Sequence, residues 1–362
     1  MEKTMQKPAK KSLFKRIIIE SGTQTTNYVI ILLLAMLIGA FVIFLSDKDP
    51  IAAYKALFNG AFGNWYKFAD TLDRATVMIL AGVAGALAFR TNVTNLGLEG
   101  QLYIGAFSAA LVGFSLHGLP SIIHIPLCLI AGCVGGALWT LPVVYLKLRW
   151  NITELVTTLM MNYIGIRFTE YLIAFPFKDP TATLAGSPVL DASARLPKLI
   201  QGSTLNIGFI IAIAVAISVY WFLFKSKTGY EMRMVGLNKD FAAACGIPIT
   251  RSYVLAMTMS GAIVGLGGAI MICGFFGRFL GSFSSGYGWD GMMIALLAQN
   301  HPLGVIPASL FYGALANGAL AMQSATGVSQ EVVVMVKGAM VFFVTVTVFI
   351  QTIRRRLEKW MA

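Results

Sequence analysis

The sequence has few charges, few cysteines and histidines, and no nucleotide-binding motif, and each shortage removes a class of function. Only 12% of its 362 residues are Asp, Glu, Lys or Arg, against 57% that are hydrophobic, and the mean hydropathy is +0.74. A soluble fold does not carry that balance; an all-α polytopic membrane protein does. Four cysteines, Cys128, Cys133, Cys245 and Cys273, form no CxxC pair and stand among apolar or small residues, where they read as core. Three histidines, His117, His124 and His301, have no ligand spacing to carboxylates or thiols, so neither a metal nor another cofactor is expected. There is no GxxxxGK[ST], and Lys227-Thr228-Gly229 has its residues in the wrong order for a P-loop. If transport is driven by ATP, another chain must hydrolyse it.

Acidic residues are the scarcer charge: 16, against 28 Lys and Arg, a formal net charge of +12. The basic residues flank apolar runs and do not interleave with a polar fold, which argues against a nucleic-acid partner and for membrane lipid. Residues 1–27 form a basic tail, and the apolar run 28–45 lacks a small-residue cleavage site, so it is expected to stay as a signal-anchor span. Further spans are expected at about 74–90, 97–116, 122–146, 151–175, 205–224, 251–273, 285–300, 303–322 and 331–351. The 285–300 segment is short and imperfect, a broken or re-entrant element. This gives about ten transmembrane helices in a permease domain 28–352, exterior loops at 46–73 and 176–204, a cytoplasmic loop at 225–250 and a basic tail at 353–362. Eighteen Lys and Arg then fall on the cytoplasmic side and eight outside, which orients both termini to the cytoplasm.

The loop 225–250 holds the one long charged stretch between two spans. Within it, 239–246 reads as a short helix, with Asn238 or Asp240 as N-cap, Gly246 as C-cap and Pro248 preventing continuation. Such a helix either lies on the membrane surface or docks into a partner.

Charges within spans are costly and need a reason. Asn151-Ile152-Thr153-Glu154 fits a capping box, and Arg167 with Glu170 fits an intrahelical pair. Glu99 and Asp290 stand in matching frames, Gly97-Leu98-Glu99-Gly100 and Gly288-Trp289-Asp290-Gly291, starting from opposite sides of the membrane in this topology. Gly-interrupted segments in corresponding halves point to inverted repeats around a central site; capping of helix N-termini is the plainer role. Asn95, Gln101, Asn162, Tyr163, Trp289 and Asn300 extend these polar stretches, and amides, aromatics and a carboxylate together suit a neutral, ring-containing, hydrogen-bonding solute. Glu99 and Asp290 are equally the residues that an ion-coupled carrier would use.

Several of these stretches occur together and in order. Ala88-Phe89-Arg90 followed by Asn95-Leu96-Gly97-Leu98-Glu99-Gly100-Gln101 resembles the FNIGxEGQ signature of the branched-chain amino acid and sugar type of ABC importer permeases. Thr158-Leu159-Met160-Met161-Asn162-Tyr163-Ile164 resembles the TxMLNYI segment of their nucleoside branch, and Gly286-Tyr287-Gly288-Trp289-Asp290-Gly291 resembles its GxGWDG segment. Gly236-Leu237-Asn238, Ala242-Ala243-Ala244 and Gly246-Ile247 resemble the family's cytoplasmic coupling loop. The similarity runs colinearly over about 70–350. It implies a nucleoside permease subunit in a bacterial plasma membrane, itself no enzyme, with a sugar or branched-chain amino acid as the alternative cargo. It further implies a cytoplasmic ATP-binding subunit seated on Gly236, Asn238, Ala242, Ala243 and Gly246, a second homologous permease, and an extracytoplasmic substrate-binding lipoprotein. The substrate pathway would include Asn95, Glu99, Gln101, Asn162, Tyr163, Trp289, Asp290 and Asn300.

Overall fold

In the computed structural model, residues 36–180, 185–329, 331–336, 338–339 and 342 are described. Both basic tails, residues 28–35 of the expected 28–45 span and much of the 331–351 span, Lys337 included, lie outside the described residues. The chain divides into two compact units, Phe58–Gly318 and the pair Met1–Leu57 with Ala319–Ala362. In the latter, the Tyr54 hydroxyl donates to the Met36 carbonyl at 2.7 Å. Every site residue named below lies in Phe58–Gly318.

Helix α1 (Pro50–Phe62) leads through Gly63 and Asn64 into α2 (Trp65–Arg90). The Asn64 side chain caps α2 by accepting from Lys67 N at 2.8 Å. The helix therefore begins nine residues before the expected span, and Asp70, Asp73 and Arg74 lie in its early turns. Then follow α3 (Leu98–Ser115), α4 (Ser121–Trp150), α5 (Glu154–Ala174), α6 (Gly208–Lys225), α7 (Lys227–Leu237) and α8 (Lys239–Ala244). The last are α9 (Ile249–Met271), extended by a π turn over Ile272–Phe276, α10 (Tyr287–Leu297) and α11 (Pro302–Thr326).

Two helices make the centre. Every residue from Ala75 to Ala88 of α2 is buried, as is every residue from Ile263 to Met271 of α9. Against α9 pack α3 and α4 through a seam of small residues: a Cβ on Gly105 would overlap the Gly265 backbone, and one on Gly136 the Gly261 carbonyl. Where lipid tails are as apolar as leucine, such close backbone approach is the main source of helix attraction. The peripheral helices turn apolar side chains outward instead, Ile122, Ile130 and Leu138 on α4 and Ile210, Ile217 and Trp221 on α6. Among the described residues, α2, α4, α6, α9 with its π turn, and α11 are long and apolar enough to cross a membrane. The chain is an all-helical, multi-pass membrane protein.

One local expectation fails. The capping box at 151–154 does not form, because Asn151 takes a left-handed conformation (φ +51°) to end α4. Glu154 instead reaches Lys147 of that helix at 3.0 Å. The Arg167–Glu170 pair forms at 2.8 Å, and Glu170 also accepts from the Ser282 hydroxyl at 3.2 Å.

Candidate functional site

Between α2 and α3 the chain runs without regular secondary structure through 93–97, and Asn95 at its centre is fully buried. Non-helical backbone inside a membrane bundle persists only if its polar groups are satisfied. Here side chains do this. Leu96 N donates to Thr158 Oγ1 at 3.2 Å, and the Leu96 carbonyl accepts from Asn162 Nδ2 at 2.5 Å. Gly97 N donates to Asn95 Oδ1 at 3.0 Å. Gly100 N, one of the unpaired first-turn donors of α3, is taken by Asn162 Oδ1 at 2.7 Å. Asn95 and Gln101 close a two-way amide pair, both bonds 3.0 Å, and Asn95 adds Ser260 Oγ of α9 at 2.9 Å. The predicted residues Asn95, Gln101 and Asn162 form with Glu99 a brace whose bonds are made within the chain.

Glu99 brings the two Gly-framed segments together. Its carboxylate accepts from Gly288 N at 2.6 Å, with the Ser284 side chain and Gly286 backbone also in hydrogen-bonding reach. A Cβ on Gly288 would strike the Glu99 backbone. The N-termini of α3 and α10 thus meet at one point inside the bundle and do not start from opposite membrane faces. The contact joins a segment expected as a span, 97–116, to one expected as short and re-entrant, 285–300, and the irregular stretches before each helix let the two N-termini lie side by side. One buried carboxylate then sits at two positive helix ends, where negative charge is favoured. The plainer capping role fits Glu99, although it caps the other segment's helix as well as standing in the first turn of its own.

The remaining predicted residues are placed elsewhere. Trp289 and Tyr163 keep exposed surface, 40% and 59%, and Asp290 is half-buried. Asn300 lies with Gln299 in the turn from α10 to α11, both left-handed at φ +56° and +53°. That turn belongs to the α7–α8 end of the bundle: Arg90 donates to the Gln299 carbonyl at 3.4 Å, and Gly236 of α7 packs on the Arg90 backbone. Burial, and then the charge of Arg90, push the neighbouring His301 imidazole below its ordinary pKa.

At this end α8 forms as its sequence expects. Asn238 caps it by accepting from Phe241 N at 3.0 Å, and Gly246 takes φ +74° after it. Ala242 is buried against the bundle, while Ala243, Leu237 and Phe241 are exposed, the last two at 81% and 53%.

At the other end lies a cavity of about 350 Å³ that sequence reading missed. One wall is the start of α2. Asp70 accepts from Thr204 N and Oγ1 at 3.1 and 2.8 Å, and Asp73 accepts from Asn206 Nδ2 at 3.0 Å. Arg74 donates to Asn317 Oδ1 at 3.2 Å and to the Tyr287 hydroxyl at 3.5 Å. The opposite wall is aromatic: Phe275 and Phe276 of the π turn, and Phe283. Residues 73–90 of α2 and 250–270 of α9 connect this cavity to the α7–α8 end, rises of roughly 26 and 30 Å, about one hydrocarbon thickness. The only sequence signal for the cavity was the acid pair Asp70 and Asp73 beside an apolar run, which as an exterior loop called for no explanation.

Comparison with known proteins follows the same outline. The family described as branched-chain amino acid transport system / permease component matches residues 68–345. The chain is 36% identical to the guanosine ABC transporter permease protein NupP of Bacillus subtilis, over 91% of this chain and 95% of that one. It is 32% identical to the nucleoside ABC transporter permease protein NupB of Lactococcus lactis, over 89% and 91% of the two chains. It is 29% identical to the glucose ABC transporter permease protein TsgB13 of Haloferax volcanii, over 90% and 88%. A brace that holds the N-termini of two helices together, and a capped helix with Phe241 and Ala243 exposed, are thus set in a sequence shared with transporters along most of its length, and this chain belongs to the permease family of branched-chain amino acid transport systems.

Proposed function

We propose that this chain forms the membrane pathway for nucleoside uptake in an ATP-binding-cassette importer of the cell membrane, with about ten spans and both termini in the cytoplasm. The observation that carries the reading is the division of the bundle. At one end Leu237, the last residue of α7, and Phe241 of α8 are open to a partner, and at the other lies a cavity with carboxylates and aromatic rings. The buried helices α2 and α9 join the two. Exposed large apolar side chains on a short polar-flanked helix suit a groove on a cytoplasmic ATP-binding subunit. Movement of α8 passes into α9 through Ile247 and Pro248, and into α2 through the contact of Gly236 with Arg90. The chain itself makes and breaks no covalent bond. A second homologous permease and a substrate-binding lipoprotein complete the importer, as the resemblance implies.

On this reading Trp289, Asp290 and Tyr163 border the pathway, while Asn95, Glu99, Gln101 and Asn162 shape it from behind. Asn300 stands at the turn that faces the coupling end. In the coupling segment, Asn238 and Gly246 terminate α8, Ala242 seats it on the bundle, and Ala243 faces the ATPase. Ala243→Asp is expected to leave the protein in the membrane, with stability changed by less than about 0.5 kcal/mol as for most surface substitutions, but to uncouple ATP hydrolysis from uptake. Normal coupled uptake by that variant would remove the docking role.

The deciding experiment is radiolabelled nucleoside uptake in cells with this gene deleted and then restored, with unlabelled nucleoside, glucose, ribose and leucine as competitors. Loss and rescue, with nucleosides alone competing, support the reading. Competition by glucose or ribose alone would give the cargo to the sugars, the second reading, which the halobacterial relative and the carboxylates of the cavity favour. Competition by leucine alone would remove both.

A further inference from the structure

The cavity at the start of α2 carries more information than its position. Several of its donors already serve the protein's own acceptors: Arg74 gives two of its five N–H groups to Asn317 and Tyr287, the Asn206 amide bonds Asp73, and the Thr204 hydroxyl bonds Asp70. Asn317 Nδ2 reaches the Gly60 and Lys67 carbonyls and Thr71 Oγ1 at 3.0 to 3.1 Å. An ionised carboxylate has about four acceptor sites, and Asp70 receives two bonds from Thr204 while Asp73 receives one from Asn206 and lies in reach of Thr204. The two carboxylates of this wall therefore keep acceptor capacity. It suits a ligand that offers hydroxyl donors.

The facing wall supplies the complementary half. Phe275, about half exposed, and Phe276 meet edge to face at 4.7 Å between ring centroids, and Phe283 stands 6.0 Å from Phe276. Phe275 and Phe276 are presented by a π turn, a helix irregularity often found at functional sites. A planar ring stacks on such a wall whatever its hydrogen-bonding edge. The volume of about 350 Å³ is at the small end of the 300–1,000 Å³ typical of small-molecule sites.

We infer that this cavity is a nucleoside-holding site in which Asp70 and Asp73 accept the ribose 2′- and 3′-hydroxyls while Phe275, Phe276 and Phe283 stack the base. The inference rests on the nucleoside reading for its cargo, and adds the part of the cargo that is read. It makes the permease selective in its own right: ribonucleosides pass, while 2′,3′-dideoxynucleosides and free bases are disfavoured for want of the hydroxyls. An Asp accepting from ribose hydroxyls is the same chemistry by which dinucleotide-binding folds hold their ribose.

The test compares initial uptake of a ribonucleoside and of its 2′,3′-dideoxy analogue in the deleted strain, restored with the wild-type gene, Asp73→Asn or Asp70→Asn. The other importer subunits are unchanged, so any change in the ratio between variants belongs to this chain. The wild type is expected to prefer the ribonucleoside by roughly tenfold or more, since a site built to bond a hydroxyl rejects the analogue lacking it. Each variant is expected to slow ribonucleoside uptake by roughly tenfold and dideoxynucleoside uptake by less than about twofold, collapsing the ratio. Equal loss of both substrates in the variants would make the carboxylates structural and overturn the site. Equal wild-type uptake of both would overturn the hydroxyl contact while leaving the nucleoside reading standing. No wild-type uptake of any nucleoside would remove the reading and the inference together.

Discussion

The brace around Asn95 and the cavity beside Asp73 are both polar regions inside one helical unit, and they differ in how much of their hydrogen bonding is used. In the brace, Asn95 makes bonds to Gln101, Ser260 and Gly97, and Asn162 serves Leu96 and Gly100. Little is left over for a solute. In the cavity carboxylate acceptors remain beside open volume and aromatic rings. Saturation is what a structural network needs, because a buried polar group without a partner destabilises the fold. Spare capacity of one kind is what a binding site needs. Polarity within a span thus does not by itself mark a pathway, and the residues with the strongest sequence motif here are the ones most fully occupied.

The contrast is open to test at three places. The largest effect is expected at Glu99, whose removal strands Gly288 N and takes the negative charge from two helix N-termini. Glu99→Ala should lower stability by about 3 kcal/mol, near the upper range for a bond to a charged acceptor, and abolish uptake. Glu99→Gln, which keeps an acceptor, should recover part of the stability. Thermal unfolding of the detergent-solubilised protein measures both, and an Ala variant as stable as wild type would dissolve the brace as an idea. Next come Asn95→Ala and Gln101→Ala, each expected to cost about 1–2 kcal/mol. As direct partners they should show a coupling of roughly 0.5–3 kcal/mol in a double-mutant cycle; strict additivity would mean that the amide pair is incidental. The smallest effect on stability, under about 1 kcal/mol, is expected for the half-exposed Phe275→Ala, yet nucleoside uptake should fall roughly tenfold if its ring stacks a base, a contact worth about 1–3 kcal/mol. Unimpaired uptake would take Phe275 out of the site.

Much of the fold was legible because membrane spans and caps are local. Apolar runs placed α3 to α6 and α9 to α11 within a few residues, and Asn238, Gly246 and Pro248 marked α8. The illegible parts involve contacts between distant segments. Asp70, Asp73 and Arg74 looked like loop charges, since nothing nearby in sequence names Thr204, Asn206 or Asn317 as their partners. Asn151 looked like the start of a capping box because its four-residue pattern fits one, but the left-handed end of α4 claimed it first.

What this sequence determined alone is its medium, its helices, the short capped helix between two spans and the family motifs, all of which follow from composition, periodicity and residues within a few positions of one another. Tertiary structure alone decided which polar residues are satisfied and which are available. Glu99 and Gly288 are 189 positions apart, and Asp73 and Asn206 are 133. Each pair meets only because close-packed helices cross at those points, and hydrogen-bond satisfaction depends on distances of a few ångströms that no local pattern encodes.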